Sequence, residues 1–354
     1  MKIILVTINL LLFIYGFSFA QIEPQIYIVG QDGHDAAYWL NNRQYILPKI
    51  NNTASALGIA SLNNDIYIIG FDDNFGYNNQ EFIDNNFGPV YYHTGDAVYW
   101  LNGVQNVLPK VNNKAIANAI KVIGSDVYIV GADSNILIDA WLGWDIRSQT
   151  GDAVYWLNGE RNVLPKVNEF ASANSIAISG SDVYIAGMDG NNPVYWLNGR
   201  QFILPQAGDI VNTSSIAIIG SDVYITGRTR VTRSARNADA VYWLNNRRFV
   251  LSSSLLANAS AISISGSNIY ITGNDNDAVY WLNGRRIVLP TVTAEPQYET
   301  GYTSQDRAAN AISIIGSNIY IVGFNENNAI LWLNGRRIVL PKRHSARAND
   351  ILIK

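Results

Sequence analysis

Aromatic and acidic side chains gather in three long segments that interrupt an otherwise regular chain, and these are the residues that could bind a ligand. The segments span residues 71–94, 132–150 and 291–309. Trp141 and Trp144 are the only tryptophans outside the regular pattern, and carboxylates flank them. A tryptophan beside a carboxylate suits stacking on a sugar or a peptide, with the polar group fixing orientation. The candidate ligand-binding residues are Tyr77, Tyr92, His93, Asp139, Trp141, Trp144, Asp145, Tyr298 and Tyr302.

Trp141 and Trp144 also fit a structural role, in which they pack their own segment down as a small satellite core. Both interpretations remain open at the level of the sequence. A fourth segment, in the fifth repeat described below, is basic rather than aromatic. It carries Arg228, Arg230, Arg233 and Arg236.

Catalytic chemistry finds less support. Paired carboxylates of the kind that a glycoside hydrolase uses occur in these segments, but acids are so frequent there that no pair is singled out. The three histidines stand in different contexts, and the chain lacks His-x-x-x-His, Gly-x-Ser-x-Gly and phosphate-loop motifs. We therefore predict no catalytic residue, no metal site and no cofactor, and we expect a binding protein. The alternative is an extracellular polysaccharide hydrolase or lyase that uses these carboxylates.

The elements that position these segments repeat along the chain. One unit is clearest in the middle, where four short apolar stretches run from Ser175 to Leu204 and are bounded by turn residues. Such stretches, rich in β-branched and aromatic residues, are typical of four antiparallel strands, A to D. Asn198-Gly199 predicts a type I′ hairpin turn between strands C and D, because both residues tolerate a positive φ.

The unit occurs seven times, which predicts the architecture. The tryptophan of strand C recurs as Trp39, Trp100, Trp156, Trp196, Trp243, Trp281 and Trp332. The first repeat begins at strand B, Ile26–Gly30, with no strand A before it, whereas the last residues of the chain match strand A. We therefore expect Ile351 to Ile353 to pair with Tyr27 to Val29. The prediction is an all-β, seven-bladed β-propeller of four-stranded antiparallel blades over residues 21–354, closed by the C-terminal strand completing blade 1.

Charged residues recur within the repeat as well. An aspartate precedes strand C and either satisfies backbone donors or forms a repeated binding site; we prefer the structural role. These aspartates are Asp35, Asp96, Asp152, Asp239 and Asp277. Arginines that follow the C–D turn are expected on a solvated outer edge strand. They are Arg200, Arg247, Arg248, Arg285, Arg286, Arg336 and Arg337.

The repeat resembles kelch-type propeller units. Each unit has an Ile/Val-Tyr-Ile strand in second place, preceded in five units by Gly-x-x. Each unit also has a later tryptophan, and six units have a closing Leu-Pro such as Leu204-Pro205. It departs from kelch units in having one glycine rather than a Gly-Gly doublet after the second strand, and in placing Tyr and Trp side by side. The resemblance implies blade order; it implies no activity.

Residues 1–20 have the layout of a secretory signal peptide, a short positive start followed by an apolar run that ends at Ala20. No other segment is long and apolar enough to span a membrane, so we expect a secreted protein, whether extracellular, on the cell surface or periplasmic. The chain has no cysteine and therefore no disulfide. Its net charge of −3 disfavours nucleic acid as a partner. We expect a monomer that binds a carbohydrate or protein ligand through the face carrying the variable segments.

Overall fold

The secondary structure is entirely β, and its strands recur in four positions, A to D, that hydrogen-bond in that order. The computed structural model describes residues 24–77, 90–139, 145–206, 208, 210–230, 237–291 and 307–354. Position A holds β4 (Thr53–Leu62), β8 (Lys114–Ile123), β12 (Ala171–Ser179), β16 (Ile210–Ile219), β20 (Asn258–Ser265), β24 (Arg307–Ile315) and β28 (Ala346–Ile353). Position B holds β1 (Ile26–Asp32), β5 (Asp65–Tyr77), β9 (Asp126–Asp139), β13 (Asp182–Asp189), β17 (Asp222–Arg230), β21 (Asn268–Asn274) and β25 (Asn318–Asn325).

The outer two positions complete each unit. Position C holds β2 (Asp35–Leu40), β6 (Val90–Leu101), β10 (Asp145–Leu157), β14 (Asn192–Leu197), β18 (Ala238–Leu244), β22 (Ala278–Leu282) and β26 (Asn328–Leu333). Position D holds β3 (Arg43–Ile46), β7 (Val104–Val107), β11 (Glu160–Val163), β15 (Arg200–Ile203), β19 (Arg247–Ser254), β23 (Arg285–Val288) and β27 (Arg336–Val339). We number the units in chain order: unit 1 is β28-β1-β2-β3, unit 2 is β4 to β7, and so on to unit 7, β24 to β27.

The repeated four-stranded antiparallel sheets confirm the all-β prediction and give the molecule a propeller-like architecture. Units 2 and 3 depart from the expected separate sheets, because β6 pairs with both β8 and β9 and so joins them into one sheet of eight strands. Part of what the sequence suggested to be loops is strand: β5, β6, β9 and β10 run for 12 to 14 residues. Among the described residues, no helix could cross a bilayer.

The C–D turns have the backbone that the sequence predicts. In unit 4, Asn198 and Gly199 have φ values of 50° and 80°, and the corresponding residue pair of every other unit also has positive φ. The asparagine has a further role that the turn type alone does not predict. Its Oδ1 accepts a hydrogen bond from a backbone N–H at the start of strand B, as Asn198 does from the Val183 N–H at 2.9 Å. The side chain thus ties strand B to the turn in each unit.

The core lies between successive units. The seven strand-C tryptophans are at most 1 % exposed, and each packs into a cluster shared by two neighbouring units. In six of them the indole N–H donates to the carbonyl of the proline that closes the preceding unit; Trp196 donates to Pro165 at 2.8 Å. Unit 5 has Leu251-Ser252 instead of Leu-Pro, and within the described residues the Trp281 N–H has no partner.

Unit 1 is built from both ends of the chain. The C-terminal strand β28 pairs antiparallel with β1, with Ile351 opposite Ile28 and Ile353 opposite Ile26, one residue closer to the N-terminus than we expected. Unit 1 packs on unit 7 through a shared apolar cluster, and the Trp39 indole N–H donates to Pro341 O at 2.6 Å. The first and last units therefore meet through the same contacts as the others.

Candidate functional site

A central cavity opens on the end of the sheets that carries the B–C and D–A connections, which we call the connection face. Its volume is about 490 Å³, within the range of small-molecule sites. Most of the wall comes from the first halves of the A strands of units 1 to 5, and Ala132 and Ser134 of β9 contribute the rest together with Phe170, which directly precedes β12. The side chains that matter below are Asn118, Phe170, Ser172, Asn174, Asn212, Ser214 and Asn349. None of the described wall residues carries a charge.

Every A strand contains a β-bulge, and in units 1 to 5 the extra residue lines the cavity. In unit 4 the register shifts between Ala173 and Ser175, so Asn174 is the extra residue. The bulge brings strand A against the glycine of strand B: a methyl group at Gly187 would lie 2.0 Å from Ser172 O. This contact explains why a glycine occupies that point of strand B, where no turn requires one. The seven bulged residues are Leu57, Asn118, Asn174, Ser214, Ser260, Asn310 and Asn349.

Four of the bulged residues are asparagines that bridge to the next unit. Asn174 Nδ2 donates to Thr213 O at 2.9 Å, and Asn349 Nδ2 donates to Ala56 O at 2.8 Å. Asn118 and Asn310 make the equivalent bonds to Ala173 O and Ala348 O. The amide side chains therefore join the inner strands of neighbouring units and hold the wall of the cavity in place.

Several polar atoms of the wall remain available to a ligand. Within the described part of the chain, the Oδ1 atoms of Asn118 and Asn349, the Nδ2 of Asn212 and the hydroxyl of Ser214 take part in no hydrogen bond. Acceptors, donors and a hydroxyl thus stand beside the aromatic ring of Phe170. Such a neutral, hydrogen-bonding wall with an aromatic face suits the hydroxyls and the C–H face of a sugar.

Five of the sequence-predicted site residues lie on paired strands near this face. Tyr77, Tyr92 and His93 are on the hairpin of β5 and β6, and Asp139 is opposite Asp145 in the backbone register of β9 and β10. The two hairpins pair edge to edge, with Tyr92 opposite Leu137 and Val90 opposite Asp139. The structure therefore brings the candidate segments of units 2 and 3 together as one extended sheet.

The remaining four candidates, Trp141, Trp144, Tyr298 and Tyr302, lie outside the described residues, as does the signal segment 1–20. Their role as ligand contacts stays a prediction. In the described ranges no group of three histidine, aspartate or glutamate residues is placed to hold a metal ion.

A buried ion pair anchors the two hairpins at their base. Lys114 Nζ lies 2.7 Å from Asp73 Oδ2, and both side chains are less than 10 % exposed. Asp73 belongs to unit 2, whereas Lys114 opens the first strand of unit 3 and pairs with Gly95. Because the charges are desolvated, the pair requires this geometry, and removing either partner would leave a buried charge. Nothing in the sequence repeat indicated it.

In four units, a buried aspartate at the end of strand B accepts hydrogen bonds from the backbone that connects it to the preceding unit. The sequence pattern did not reveal these aspartates. Asp189 accepts the backbone N–H groups of Val167 and Asn168, both at 2.8 Å, and Gln201 Nε2 at 2.9 Å. Burial by itself raises the pKa of Asp189, but these hydrogen bonds outweigh it and hold the pKa below its usual value. Asp32, Asp72 and Asp133 make the same type of contact.

Four of the five aspartates expected before strand C lie within it, and only Asp277 precedes it. Three of them have the structural role we expected, but by another interaction. Lys49, Lys110 and Lys166, which follow the closing Leu-Pro, form ion pairs of 2.7 to 3.0 Å with Asp35, Asp96 and Asp152. The backbone donors are satisfied by the buried aspartates instead. Of the arginines after the C–D turn, Arg286 is exposed, as expected, and pairs with Asp275 at 2.7 Å. Arg248 is half-buried instead and pairs with Asp239 at 2.7 Å.

Comparisons with known proteins reveal no family. No family model and no curated protein sequence matches the chain. Among solved structures, a candidate 6-phosphogluconolactonase of Bacteroides fragilis aligns over 95 % of this chain and 99 % of its own, with 9 % identity and a TM-score of 0.46.

Two further solved structures give similar values. A candidate 6-phosphogluconolactonase of Bacteroides uniformis aligns over 94 % of this chain and 99 % of its own, with 9 % identity and a TM-score of 0.44. Apo AztD of Citrobacter koseri aligns over 93 % and 98 %, with 11 % identity and a TM-score of 0.42. Likeness at this level indicates neither substrate nor activity, and the kelch resemblance stays a prediction.

Proposed function

We propose that the chain is a seven-bladed β-propeller closed by β28. Seven units share one strand order, and the joint between units 7 and 1 has the contacts of the other joints. Trp39 bonds to Pro341 across that joint, and Asp32 accepts the backbone N–H groups of Arg343 and His344 at 2.6 Å. A ring of this kind leaves no unpaired edge between its first and last blades.

We propose further that this propeller is an exported binding protein whose ligand sits at the central cavity of the connection face. The observation that supports this is the neutral wall, on which free amide and hydroxyl groups surround one aromatic ring. A glycoside hydrolase needs two carboxylates flanking the scissile bond, and the described wall has none. Binding of a carbohydrate or of a protein segment therefore fits the site better than hydrolysis.

The test is a glycan-array screen run beside a hydrolysis screen on the same polysaccharides. Ser214→Leu is the informative variant because it places an apolar side chain in the cavity at a bulge. The fold tolerates leucine there, since Leu57 occupies the equivalent position in unit 2. We expect Ser214→Leu to weaken binding at least tenfold without loss of melting temperature.

The matched control is Ser260→Leu, the same substitution at the bulge of unit 6, which is not part of the cavity wall. It should leave affinity intact. A second variant, with both Trp141 and Trp144 replaced by serine, tests whether the hairpin of unit 3 contributes contacts. Equal binding by Ser214→Leu and the wild type would contradict the cavity as the ligand seat, and rapid hydrolysis of a bound polysaccharide would favour the enzyme.

A further inference from the structure

Two arginines stand together on the connection face of unit 5. Arg228 and Arg230 are two residues apart on β17, so their side chains leave the same face of the strand. Both are half-buried. Arg228 lies opposite Asn212 in the register of β16 and β17, and Asn212 lines the central cavity. The two arginines therefore extend from a strand segment that borders the cavity wall.

Neither arginine has an anionic partner among the described residues. No carboxylate of the described ranges lies within ion-pair distance of either side chain. The chain has no acid between Asp222 and Asp239. Asp239 already binds Arg248 at 2.7 Å, and Asp222 accepts a hydrogen bond from Asn245. The Nε of Arg230 is buried and unpartnered.

The surroundings disfavour the positive charge of Arg228. Burial lowers the pKa of Arg228, and the neighbouring charge of Arg230 lowers it further. The repeat does not require a cation here: the residue after the strand-B glycine is uncharged in the other six units, namely Gln31, Phe71, Ala132, Met188, Asn274 and Phe324. The structure thus keeps two repelling charges half-buried where packing does not demand them, and an anion would relieve that repulsion.

We propose that Arg228 and Arg230 bind the acidic group of the ligand, so that the protein selects a saccharide bearing a carboxylate or a sulfate. This inference rests on the proposed function, because it names the ligand class of the connection face. The planar guanidinium offers parallel N–H donors that match either anion. Two neighbouring guanidinium groups are enough to bind one acidic group. The near-zero net charge of the chain is therefore compatible with this role, because no extended basic surface is needed.

The experiment measures three sugars of similar size by calorimetry at low salt: methyl glucoside, glucuronate and glucose 6-sulfate. We expect at least one acidic sugar to bind tenfold or more tightly than the neutral sugar, and the better of the two identifies the anion. The double variant Arg228→Gln with Arg230→Gln should abolish that preference. Its control, Arg285→Gln with Arg336→Gln, removes the same charge from exposed arginines at the opposite end of the sheets and should retain it.

Inorganic sulfate gives a readout that does not depend on sugar binding. Against chloride at equal ionic strength, sulfate should raise the melting temperature of the wild type and of the control more than that of the double variant. The double variant itself should melt no lower than the wild type, whereas a structural role for the arginines requires it to melt lower. An acid preference that survives in the double variant, or no sulfate effect in the wild type, would overturn the inference. A failure of the proposed function differs, because Ser214→Leu would then change no ligand's affinity.

Discussion

The contribution of an indole–proline hydrogen bond to the free energy of unfolding can be measured by making the same substitution at two tryptophans. Trp196 donates to Pro165 O at 2.8 Å, whereas Trp281 is equally buried and its N–H has no partner among the described residues. Replacing either by phenylalanine removes the same atoms from a similar apolar cluster, so the packing loss largely cancels in the comparison. What remains is the hydrogen bond.

The expected difference follows from the cost of each indole N–H. Trp196→Phe loses a net hydrogen bond worth about 1 kcal/mol, whereas Trp281→Phe removes a buried donor whose burial costs about 1–3 kcal/mol. The free energy of unfolding should therefore fall by about 2–4 kcal/mol more for Trp196→Phe than for Trp281→Phe.

Urea unfolding followed by far-ultraviolet circular dichroism gives both values, provided that the m values of the variants agree. Equal losses, or a larger loss at Trp281, would refute the view that these bonds stabilise the joints between units.

Two further predictions concern the closing strand. Deleting residues 346–354 removes β28, exposes the edge of β1 and should lower the melting temperature of the whole molecule; a truncated protein that melts like the full chain would contradict the ring. Burial raises the pKa of Asp350 to about 6, although Ile351 N–H, Ile59 N–H and Lys121 act to lower it. The folded state therefore binds the proton more tightly, so stability falls as pH rises from about 4 to 6, by up to about 3 kcal/mol. Asp350→Asn should flatten that dependence in urea titrations at several pH values.

Period and turn chemistry predicted the four strand positions and the sevenfold repeat because both depend on residues close in sequence. The buried tryptophans followed from the same periodicity. The fusion of units 2 and 3 did not, since β6 and β9 pair through segments such as Val90–Tyr92 and Leu137–Asp139, whose strand character depends on the partner. The Lys114–Asp73 ion pair could not be predicted from the sequence either, because it joins two units at positions that the repeat does not relate.

The candidate site was only half predictable. Length variation indicated the connection face as the variable end of the sheets. The cavity wall there includes bulged residues such as Asn174 and Asn349, which look like ordinary strand residues in the sequence. A signal was present: an asparagine in the middle of an apolar strand is costly unless a neighbouring chain satisfies it. Here the partner is a carbonyl of the next unit, and only the three-dimensional structure shows which carbonyl it is.

The joints between units are reinforced unequally, and the weaker half coincides with the proposed ligand selectivity. Units 1 to 4 each clamp the preceding unit through a buried strand-B aspartate, whereas Thr229, Asp275 and Asn325 replace that clamp in units 5 to 7. Most buried side-chain atoms that lack a hydrogen-bond partner among the described residues lie in units 5 to 7: Thr226, Arg230, Arg248, Ser252 and Ser254 in unit 5, Thr272 and Trp281 in unit 6, and Asn325 and Arg337 in unit 7. Departures of this kind from the pattern of a repeat are expected where function outweighs stability. The Arg228–Arg230 pair lies in unit 5, which has the most such atoms, so the proposed acid binding accounts for a departure that packing does not require.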